Sequence, residues 1–276
     1  MRPVLFRIGT FPVHSYGLML ALALLLGLWL AVRRGRKAGI PSDKMMDVSV
    51  YGIIVGILGA RLLYVVFHWH EFSTDPLSII NPFGPGRFGI AGLILYGGLI
   101  TGLVFTFFYF WKQGIPLWKG FDVLAPSVAL GIFFVRIGCY LNGCCFGEPS
   151  HLPWSVVFPK SSPAGWVFPD TSIHPTQLYS ALYGMAIFGS LLYFERFKRF
   201  DGFTFWLFIM LYSVARFLID FLRYYEDNMV ILRIGETPIL FNQGISMLSF
   251  LVAAIMLLRL NRSQRIRARE AAETGL

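Results

Sequence analysis

Seven long apolar segments divide this chain, and they constrain its fold more than any other feature. Each is close to the roughly 20 residues that an α-helix needs to cross ~30 Å of hydrocarbon. The segments span residues 13–32, 48–67, 90–111, 123–141, 177–194, 203–221 and 239–258. The chain is 14% charged, whereas a water-soluble domain carries roughly 25% charged residues. The sequence therefore predicts an all-α, multi-pass membrane protein that forms one membrane domain over residues 1–276.

The basic residues predict how these helices are oriented. Of 24 Lys and Arg residues, 15 follow the first, third, fifth and seventh segments, six lie in the alternate connections and three lie within segments. Cytoplasmic loops of membrane proteins are enriched in Lys and Arg. The N-terminus is therefore predicted outside the cytoplasm and the C-terminus inside it. This distribution explains the net charge of +9 and gives no reason to expect a nucleic-acid partner.

The longest connection, residues 142–176, is rich in proline and is called the Pro-rich segment below. Its prolines are Pro149, Pro153, Pro159, Pro163, Pro169 and Pro175. Proline lacks a backbone donor and breaks helices, so we expect an irregular, fixed cap outside the membrane. A passive connector is the alternative.

Three arginines lie inside predicted spans that run in the same direction. Arg61, Arg136 and Arg216 each follow the start of their predicted span by 13 residues, which predicts a shared depth ~10 Å below the outer surface. An arginine costs at least ~2.5–3.5 kcal/mol at mid-bilayer and normally marks a functional site. A structural role is the alternative, with the guanidinium bound to backbone carbonyls or to a carboxylate such as Asp220, on the same helix face as Arg216.

Guanidinium groups bind phosphate in a bidentate manner and stay charged at any relevant pH. At this depth the nearest abundant anion is the phosphate of an outer-leaflet lipid, so a phospholipid headgroup is the expected ligand. Tyr16 and Tyr96 are predicted at the same level, although each could be an ordinary interfacial aromatic residue. Gly97 and Gly98 would let another helix or a lipid approach the backbone closely.

Two polar stretches lie at the outer face. Residues 136–147, Arg-Ile-Gly-Cys-Tyr-Leu-Asn-Gly-Cys-Cys-Phe-Gly, contain Asn142 and Gly147 and predict an exposed, tightly turned backbone. In residues 174–179 a proline fits the start of the fifth helix, where His174 and Gln177 offer polar groups. A single histidine at such an interface is, as the alternative, simply solvated.

All three cysteines of the chain, Cys139, Cys144 and Cys145, lie in the first stretch. Three interpretations remain open for them: buried free thiols, a disulfide, or a metal-binding or catalytic role. No C-x-x-C pair supports zinc, and neither a metal nor a cofactor is predicted.

In their order along nearly the whole chain, these motifs resemble the phosphatidylglycerol–prolipoprotein diacylglyceryl transferase family. The matching pieces are His14-Ser15-Tyr16-Gly17-Leu18-Met19, Gly59-Ala60-Arg61 through Tyr64, Gly97-Gly98-Leu99-Ile100, Asp122 with Ala125-Pro126, the Arg136 and His174 stretches, and Tyr212…Arg216…Asp220…Arg223. Seven spans with an outside N-terminus are also the architecture of that family.

The resemblance implies a function and a set of roles. The family works in the bacterial cytoplasmic (inner) membrane and joins the diacylglyceryl group of phosphatidylglycerol to the lipobox cysteine thiol of a preprolipoprotein, releasing glycerol phosphate. It implies that Arg136 holds the headgroup, that Arg216 binds or activates the phosphate, and that Tyr16 lines the site and takes part in catalysis. The other expected catalytic residues are Tyr96 and Asp220. The other expected substrate-binding residues are Arg61, Asn142, Gly147, His174, Gln177 and Tyr212.

The chain also departs from the family pattern. Tyr96 stands where the family often has a histidine considered as the base, so the identity of the base is left open. Cys139 and Cys144 stand where the family has Asn and Glu, and Asp220 is one methylene shorter than the usual Glu. The alternatives are a paralogue that binds or modifies another lipid or acceptor, and an anion transporter.

Overall fold

The structure is a computed structural model that describes residues 4–9, 11–73, 79, 83–84, 87–88, 92–225, 230–234 and 237–274. These residues are predominantly helical, which confirms the predicted fold class. The chain divides into two compact units, one formed by residues 1–30 and 121–276 and the other by residues 31–120. A single membrane domain over residues 1–276 stays a prediction.

The described residues contain nine α-helices, one 3₁₀ helix (Glu195–Phe197) and four two-stranded antiparallel strand pairs. The helices are α1 (Ser15–Lys37), α2 (Ser42–Phe67), α3 (Trp69–Phe72), α4 (Leu95–Lys112), α5 (Leu117–Asn142), α6 (Pro163–Val167), α7 (Thr176–Phe194), α8 (Phe203–Ile219) and α9 (Phe241–Thr274). The strand pairs are β1 (Val4–Ile8) with β2 (Phe11–His14), β3 (Phe83–Gly84) with β4 (Arg87–Phe88), β5 (Val156–Val157) with β6 (Ser172–Ile173), and β7 (Val230–Ile234) with β8 (Thr237–Leu240).

Each predicted segment overlaps one long helix, namely α1, α2, α4, α5, α7, α8 or α9. Within the described residues, four helices are long and apolar enough to cross a membrane: α1, α2, α5 and residues 241–266 of α9. A further apolar helix, α8, is shorter. These helices fit a multi-pass membrane protein, whereas the number of seven spans stays a prediction. The helix ends differ from the predicted edges, since α2 and α5 begin six residues earlier and α9 continues to Thr274.

In the unit of residues 31–120, α2 and α4 pack through glycines. A Cβ atom on Gly97 would overlap the carbonyl oxygen of Gly59, and one on Gly98 would lie 2.8 Å from that of Gly56. The hydroxyl of Thr101 donates to the Val55 carbonyl at 3.2 Å. Small residues let two backbones approach this closely. The Gly97-Gly98 pair therefore accommodates a second helix.

In the other unit, α5, α7 and α8 share a hydrophobic core. Its buried members are Ala125 and Ala129 from α5, Ile187 and Leu191 from α7, and Leu207 and Phe208 from α8. This core fixes α8 against α5 and so positions the polar residues that both helices carry near their other ends.

Asp122 ties the beginning of α8 to α5. Its buried carboxylate accepts hydrogen bonds from the backbone amides of Gly202 at 2.7 Å and Phe205 at 2.8 Å, and it pairs with Lys198 at 2.9 Å. The first amides of a helix have no partner within the helix, and the N-cap residue Gly202 has no side chain to supply one. Asp122 supplies the cap from a neighbouring helix, so the second turn of α5 lies level with the first turn of α8.

The Pro-rich segment has short elements and a small core of its own. Phe158, Ala164 and Ile173 are buried there, packed against Tyr140, Phe146, Val156 and Phe168. Helix α6 has five residues and is capped by Ser162, whose hydroxyl accepts from the Gly165 amide at 3.2 Å. The segment is thus irregular without a long helix, as predicted, and its position outside a membrane stays a prediction.

Candidate active site

Arg136 and Arg216 lie at the same height on neighbouring helices. Arg136 follows Asp122 by 14 residues and Arg216 follows Gly202 by 14 residues, which is about 21 Å along each helix. Because Asp122 binds the Gly202 amide, equal distances bring the two guanidiniums to one level. A Coulombic interaction between the two arginines agrees with this placement. Their depth in a membrane stays a prediction.

Arg216 is held in a three-membered side-chain network. Its Nη2 donates to the Tyr225 hydroxyl at 2.6 Å, and its Nη1 lies 3.0 Å from Oδ1 of Asp220 in an ion pair. The Tyr225 hydroxyl donates in turn to Oδ1 of Asp220 at 2.7 Å. Asp220 is buried, and its carboxylate also interacts electrostatically with Arg223 and Arg136. The network fixes the direction of the Arg216 guanidinium.

Arg136 has a different environment. Within the described part of the chain it makes no hydrogen bond and no ion pair. Its Coulombic neighbours are the phenols of Tyr183 and Tyr212 and the thiols of Cys145 and Cys139. A half-buried guanidinium without a carboxylate partner strongly favours binding an anion, because its donors are otherwise unsatisfied.

Tyr16 also belongs to this group. It lies on α1 and interacts electrostatically with Arg136 and with all three cysteines. Gly138 allows this approach, since a Cβ atom there would lie 3.3 Å from the Tyr16 ring and 3.1 Å from Cβ of Met19. The structure therefore brings Tyr16, Arg136 and Tyr212 together, and their roles in the site stay predictions.

Arg61 and Tyr96 belong to the other unit. Arg61 donates from Nε to the Ile79 carbonyl at 3.0 Å and from Nη1 to the Gly92 carbonyl at 3.4 Å. Its guanidinium also lies over the ring of Phe72, 5.0 Å from the centroid. Binding to backbone carbonyls is what a purely structural arginine would show. A role of Arg61 in substrate binding stays a prediction. Tyr96, in the first turn of α4, is exposed, and its catalytic role likewise stays a prediction.

The chain reverses direction sharply where α5 ends. The amide of Gly143 donates to the Tyr140 carbonyl at 3.2 Å, and that of Cys144 donates to the Cys139 carbonyl at 3.1 Å. This pair of bonds is a Schellman motif, which needs a left-handed residue that Gly143 supplies with φ +75°. Cys145 follows with φ +58°, a conformation that costs a non-glycine residue ~1–2 kcal/mol. The turn carries Cys144 and Cys145 back towards Cys139.

The first turn of α7 holds this reversed segment in place. The side-chain Nε2 of Gln177 donates to the Cys144 carbonyl at 2.9 Å, and the Thr176 hydroxyl donates to the Cys145 carbonyl at 3.0 Å. Gln177 is fully buried, and its Oε1 has no hydrogen-bond partner among the described residues. The side chain of Asn142, the last residue of α5, interacts with the Cys144 thiol. Gln177 and Asn142 therefore support the cysteine turn.

Gly147 and His174 lie side by side in an extended strip. The Gly147 amide donates to the His174 carbonyl at 3.2 Å, and the His174 amide donates to the Glu148 carbonyl at 2.9 Å. A Cβ atom on Gly147 would lie 2.6 Å from the Leu222 carbonyl oxygen, so the strip requires glycine there. Burial lowers the pKa of His174 below its ordinary value of 6.5. The imidazole beside Gly147 is therefore mostly neutral at pH 7.

The three cysteine sulfurs form a compact cluster. They are free thiols, and all lie within 4.8 Å of one another. Hydrogen bonds with Cys139 and Cys144 lower the pKa of Cys145, and the guanidiniums of Arg223 and Arg136 lower it further, whereas burial opposes the change. The sequence left a disulfide, free thiols and a metal open, and the structure contains free thiols.

Two polar residues of this site, Tyr225 and Tyr183, are not singled out by the sequence, and a third, Arg223, enters only through the family resemblance. Tyr225 lies beyond the predicted end of the sixth span. Tyr183 occurs in an apolar helix, where the sequence does not distinguish it from the other aromatic residues. The Tyr183 hydroxyl and the Nε of Arg223 are buried and have no hydrogen-bond partner among the described residues. The family resemblance includes Arg223, which is the one available signal for that residue.

Comparisons with known proteins identify the family to which the chain belongs. The family model described as prolipoprotein diacylglyceryl transferase matches residues 3–259. A phosphatidylglycerol–prolipoprotein diacylglyceryl transferase of Clostridium tetani is 35% identical over 223 residues, which cover 81% of this chain and 86% of the relative. One from Bacillus cereus is 33% identical over 84% of this chain and 85% of the relative. The phosphatidylglycerol–prolipoprotein diacylglyceryl transferase 2 of Clostridium perfringens is 32% identical over 81% of this chain and 84% of the relative. The chain belongs to the prolipoprotein diacylglyceryl transferase family.

Proposed function

We propose that this chain transfers the diacylglyceryl group of phosphatidylglycerol to the lipobox cysteine thiol of preprolipoproteins. Membership of the family makes it a transferase that acts in the first step of lipoprotein maturation. The observation that carries the assignment of the site is Arg136, which has no hydrogen bond or ion pair within the described residues and lies level with Arg216. Two guanidiniums at one height form a receptor for one phosphate.

In the proposed mechanism, Arg136 binds the phosphate of the phosphatidylglycerol headgroup. The substrate thiolate attacks the glyceryl carbon of the diacylglyceryl group, a C–S bond forms and a C–O bond breaks. Glycerol phosphate leaves with the electron pair of the broken bond. The leaving phosphate gains charge in this step, so guanidiniums aimed at it lower the barrier. Tyr212, in electrostatic contact with Arg136, lines the same site.

Arg216 shares the developing charge. Its ion pair with Asp220 and its bond to Tyr225 hold it in one orientation before substrate binds, so little reorganisation is needed during the reaction. Asp220 contributes by fixing this arginine. The acceptor thiol must lose its proton, because a thiol with a pKa near 8.5 is only a few per cent ionised at neutral pH. Tyr16 and Tyr96 are the proposed residues for handling that proton.

The remaining predicted residues are proposed to shape the site. Gly147 and His174 form the strip beside the cysteine turn, and Gln177 and Asn142 hold that turn. Arg61 is proposed as a further phosphate ligand or, through its carbonyl contacts, as a support for its own unit. The chain is proposed to lie in the bacterial inner membrane with its N-terminus outside and its C-terminus in the cytoplasm. No cofactor is required for this chemistry.

A complementation experiment tests the function. Cells depleted of their own diacylglyceryl transferase are supplied with this chain, and prolipoprotein modification is followed by the gel shift of one lipoprotein. We expect modification with the wild type and none with Arg136→Gln at equal accumulation. Unmodified prolipoprotein in cells that accumulate the wild type would favour the paralogue alternative. In a purified system, a lipobox peptide with Ser in place of Cys is the matched negative control.

A further inference from the structure

We propose that Cys139, Cys144 and Cys145 form a binding site for a soft, thiophilic metal ion, with Zn²⁺ and Cu⁺ as the two ions of that chemistry. The cluster is not needed for the transfer reaction, because the nucleophilic thiol there belongs to the substrate protein. The sequence predicts no metal, since the spacing C-x-x-x-x-C-C lacks a C-x-x-C pair. The spacing in the sequence matters less than the turn after α5, which places all three sulfurs together.

The sulfur geometry is close to that of a metal site. All three Sγ atoms lie within 4.8 Å of one another. A tetrahedral metal with metal–sulfur distances of about 2.3 Å holds its sulfurs about 3.8 Å apart. The sulfurs therefore need to approach by about 1 Å or less, which rotation about the side-chain bonds can supply. Three thiolates without an oxygen ligand select Zn²⁺ or Cu⁺ over Mg²⁺ or Ca²⁺.

The backbone that carries the ligands is already fixed. Cys139 lies in the last turn of α5, and the Schellman motif at Gly143 sets the path of the two following cysteines. The side chains of Gln177 and Thr176 hold the carbonyls of Cys144 and Cys145. A metal ion would thus bind to an ordered loop, and little conformational entropy would be lost on binding.

The surrounding charges favour binding of a metal ion by the three thiolates. Each thiol that binds the metal gives up its proton to solvent, so three thiolates with Zn²⁺ carry a net charge of −1 and with Cu⁺ a net charge of −2. Arg223 and Arg136 interact electrostatically with Cys145 and would offset that charge. The metal-ligating cluster contains three cysteines and no carboxylate or imidazole within the described residues. Zn²⁺ would therefore keep one exogenous ligand, whereas Cu⁺ would be three-coordinate.

The full-length protein, purified in detergent, reduced and stripped with a chelator under anaerobic conditions, provides the test. Zn²⁺ and Cu⁺ are added separately in competition with chromophoric chelators, and Co²⁺ is added as a spectroscopic probe of thiolate ligation. We expect one ion per chain and thiolate-to-cobalt charge-transfer absorption. The variant Cys139→Ser/Cys144→Ser/Cys145→Ser should bind at least 100-fold more weakly. No lipid or peptide substrate is present, so the result is independent of the transferase activity.

A matched control addresses binding to histidines. The rings of His68 and His70 lie 6.5 Å apart in the other unit, and His68→Ser/His70→Ser should leave the affinity unchanged. Equal affinity of the wild type and the triple variant would overturn the proposal. If the triple variant does not accumulate, the alkylation rate of the three thiols in the wild type is measured with and without metal. Bound metal must slow alkylation. Unchanged alkylation rates, or a disulfide that mild reductant does not open, would also overturn the site.

Discussion

Arg61 and Arg136 occupy comparable positions in the sequence and different environments in the structure. Each lies 19 residues after the first residue of its helix, and each is surrounded by apolar residues in the chain. Arg61 donates to the carbonyls of Ile79 and Gly92, so main-chain oxygens of its own unit bind it. Arg136 makes no such bond within the described residues. Hydrogen bonds to the protein thus offset the cost of burying Arg61, whereas Arg136 has only electrostatic partners among the described residues.

This difference shows how a structural arginine can be told from a ligand-binding one. A guanidinium has five N–H donors, and its role depends on what accepts them. Carbonyl acceptors from a nearby loop fold with the chain and stabilise it. Donors that the protein does not use remain for a substrate anion. Arg216 is intermediate, since Asp220 and Tyr225 orient it and leave its charge close to that of Arg136.

The largest expected effect is the loss of transfer on replacing Arg136. Arg136→Gln removes the charge that would bind the headgroup phosphate but keeps a polar side chain of similar reach. We expect transfer of the diacylglyceryl group to fall by at least ~100-fold, the range seen when one transition-state donor is removed. The measurement is the initial rate of lipobox-peptide modification by purified protein. Arg136→Lys, with a point charge in place of a planar fork, should recover only part of that rate.

Arg136→Gln should accumulate and unfold like the wild type, because no protein partner in the described residues loses a bond. A full rate of transfer with this variant would contradict the phosphate-binding role. If Arg136→Gln lowered the apparent Tm as much as Arg61→Gln does, both arginines would be structural and the contrast between them would be wrong.

Arg61→Gln is expected to act on stability first. Its guanidinium donates two hydrogen bonds to carbonyls, and bonds from charged groups contribute ~1.5–3 kcal/mol each. The variant should lower the free energy of unfolding by about that amount for the pair, since glutamine can replace one of the donors. Thermal unfolding in detergent measures the shift. Normal stability with strongly reduced transfer would instead place Arg61 at the substrate.

The positions of the long helices could be predicted because apolar length alone determines them. Their ends could not, since α2 and α5 begin with polar or amphipathic turns that hydropathy excludes. The short strand pairs were not predicted either. The pair of β5 and β6 joins residues 15 and 17 apart in the sequence, and its register depends on the packing of the Pro-rich segment. Local periodicity carries no information about such contacts.

The site was predictable in its residue types and less so in its connections. The pairing of Asp220 with Arg216 follows from a separation of four residues on one helix. The hydrogen bond from the Gly202 amide to Asp122 joins residues 80 apart in the sequence. No local pattern therefore indicates that it brings Arg136 and Arg216 to the same height. The cysteine cluster depends on two left-handed residues, Gly143 and Cys145, of which only the glycine suggests a turn.

A smaller effect is expected at Tyr225, which joins Arg216 to Asp220. Tyr225→Phe removes two short hydrogen bonds and leaves the direct ion pair in place. We expect the rate of transfer to fall about tenfold, corresponding to ~1.4 kcal/mol for loosened orientation of the guanidinium. The KM for phosphatidylglycerol and kcat are measured separately. An unchanged rate would mean that the ion pair alone orients Arg216.

The smallest effect is a pH dependence of stability at the strip beside the site. Burial lowers the pKa of His174, so the stability that its neutral form provides is present above pH 6.5 and is lost as the pH falls through the lowered pKa. Burial of the neighbouring Glu148 raises its pKa and acts in the opposite sense as the pH rises from 4.5. We expect the apparent Tm to fall slightly from pH 7 to pH 5.5 and His174→Gln to flatten that decrease. Glu148→Gln should make the decrease steeper. Equal pH profiles of the wild type and the two variants would show that neither His174 nor Glu148 contributes to the pH dependence of stability.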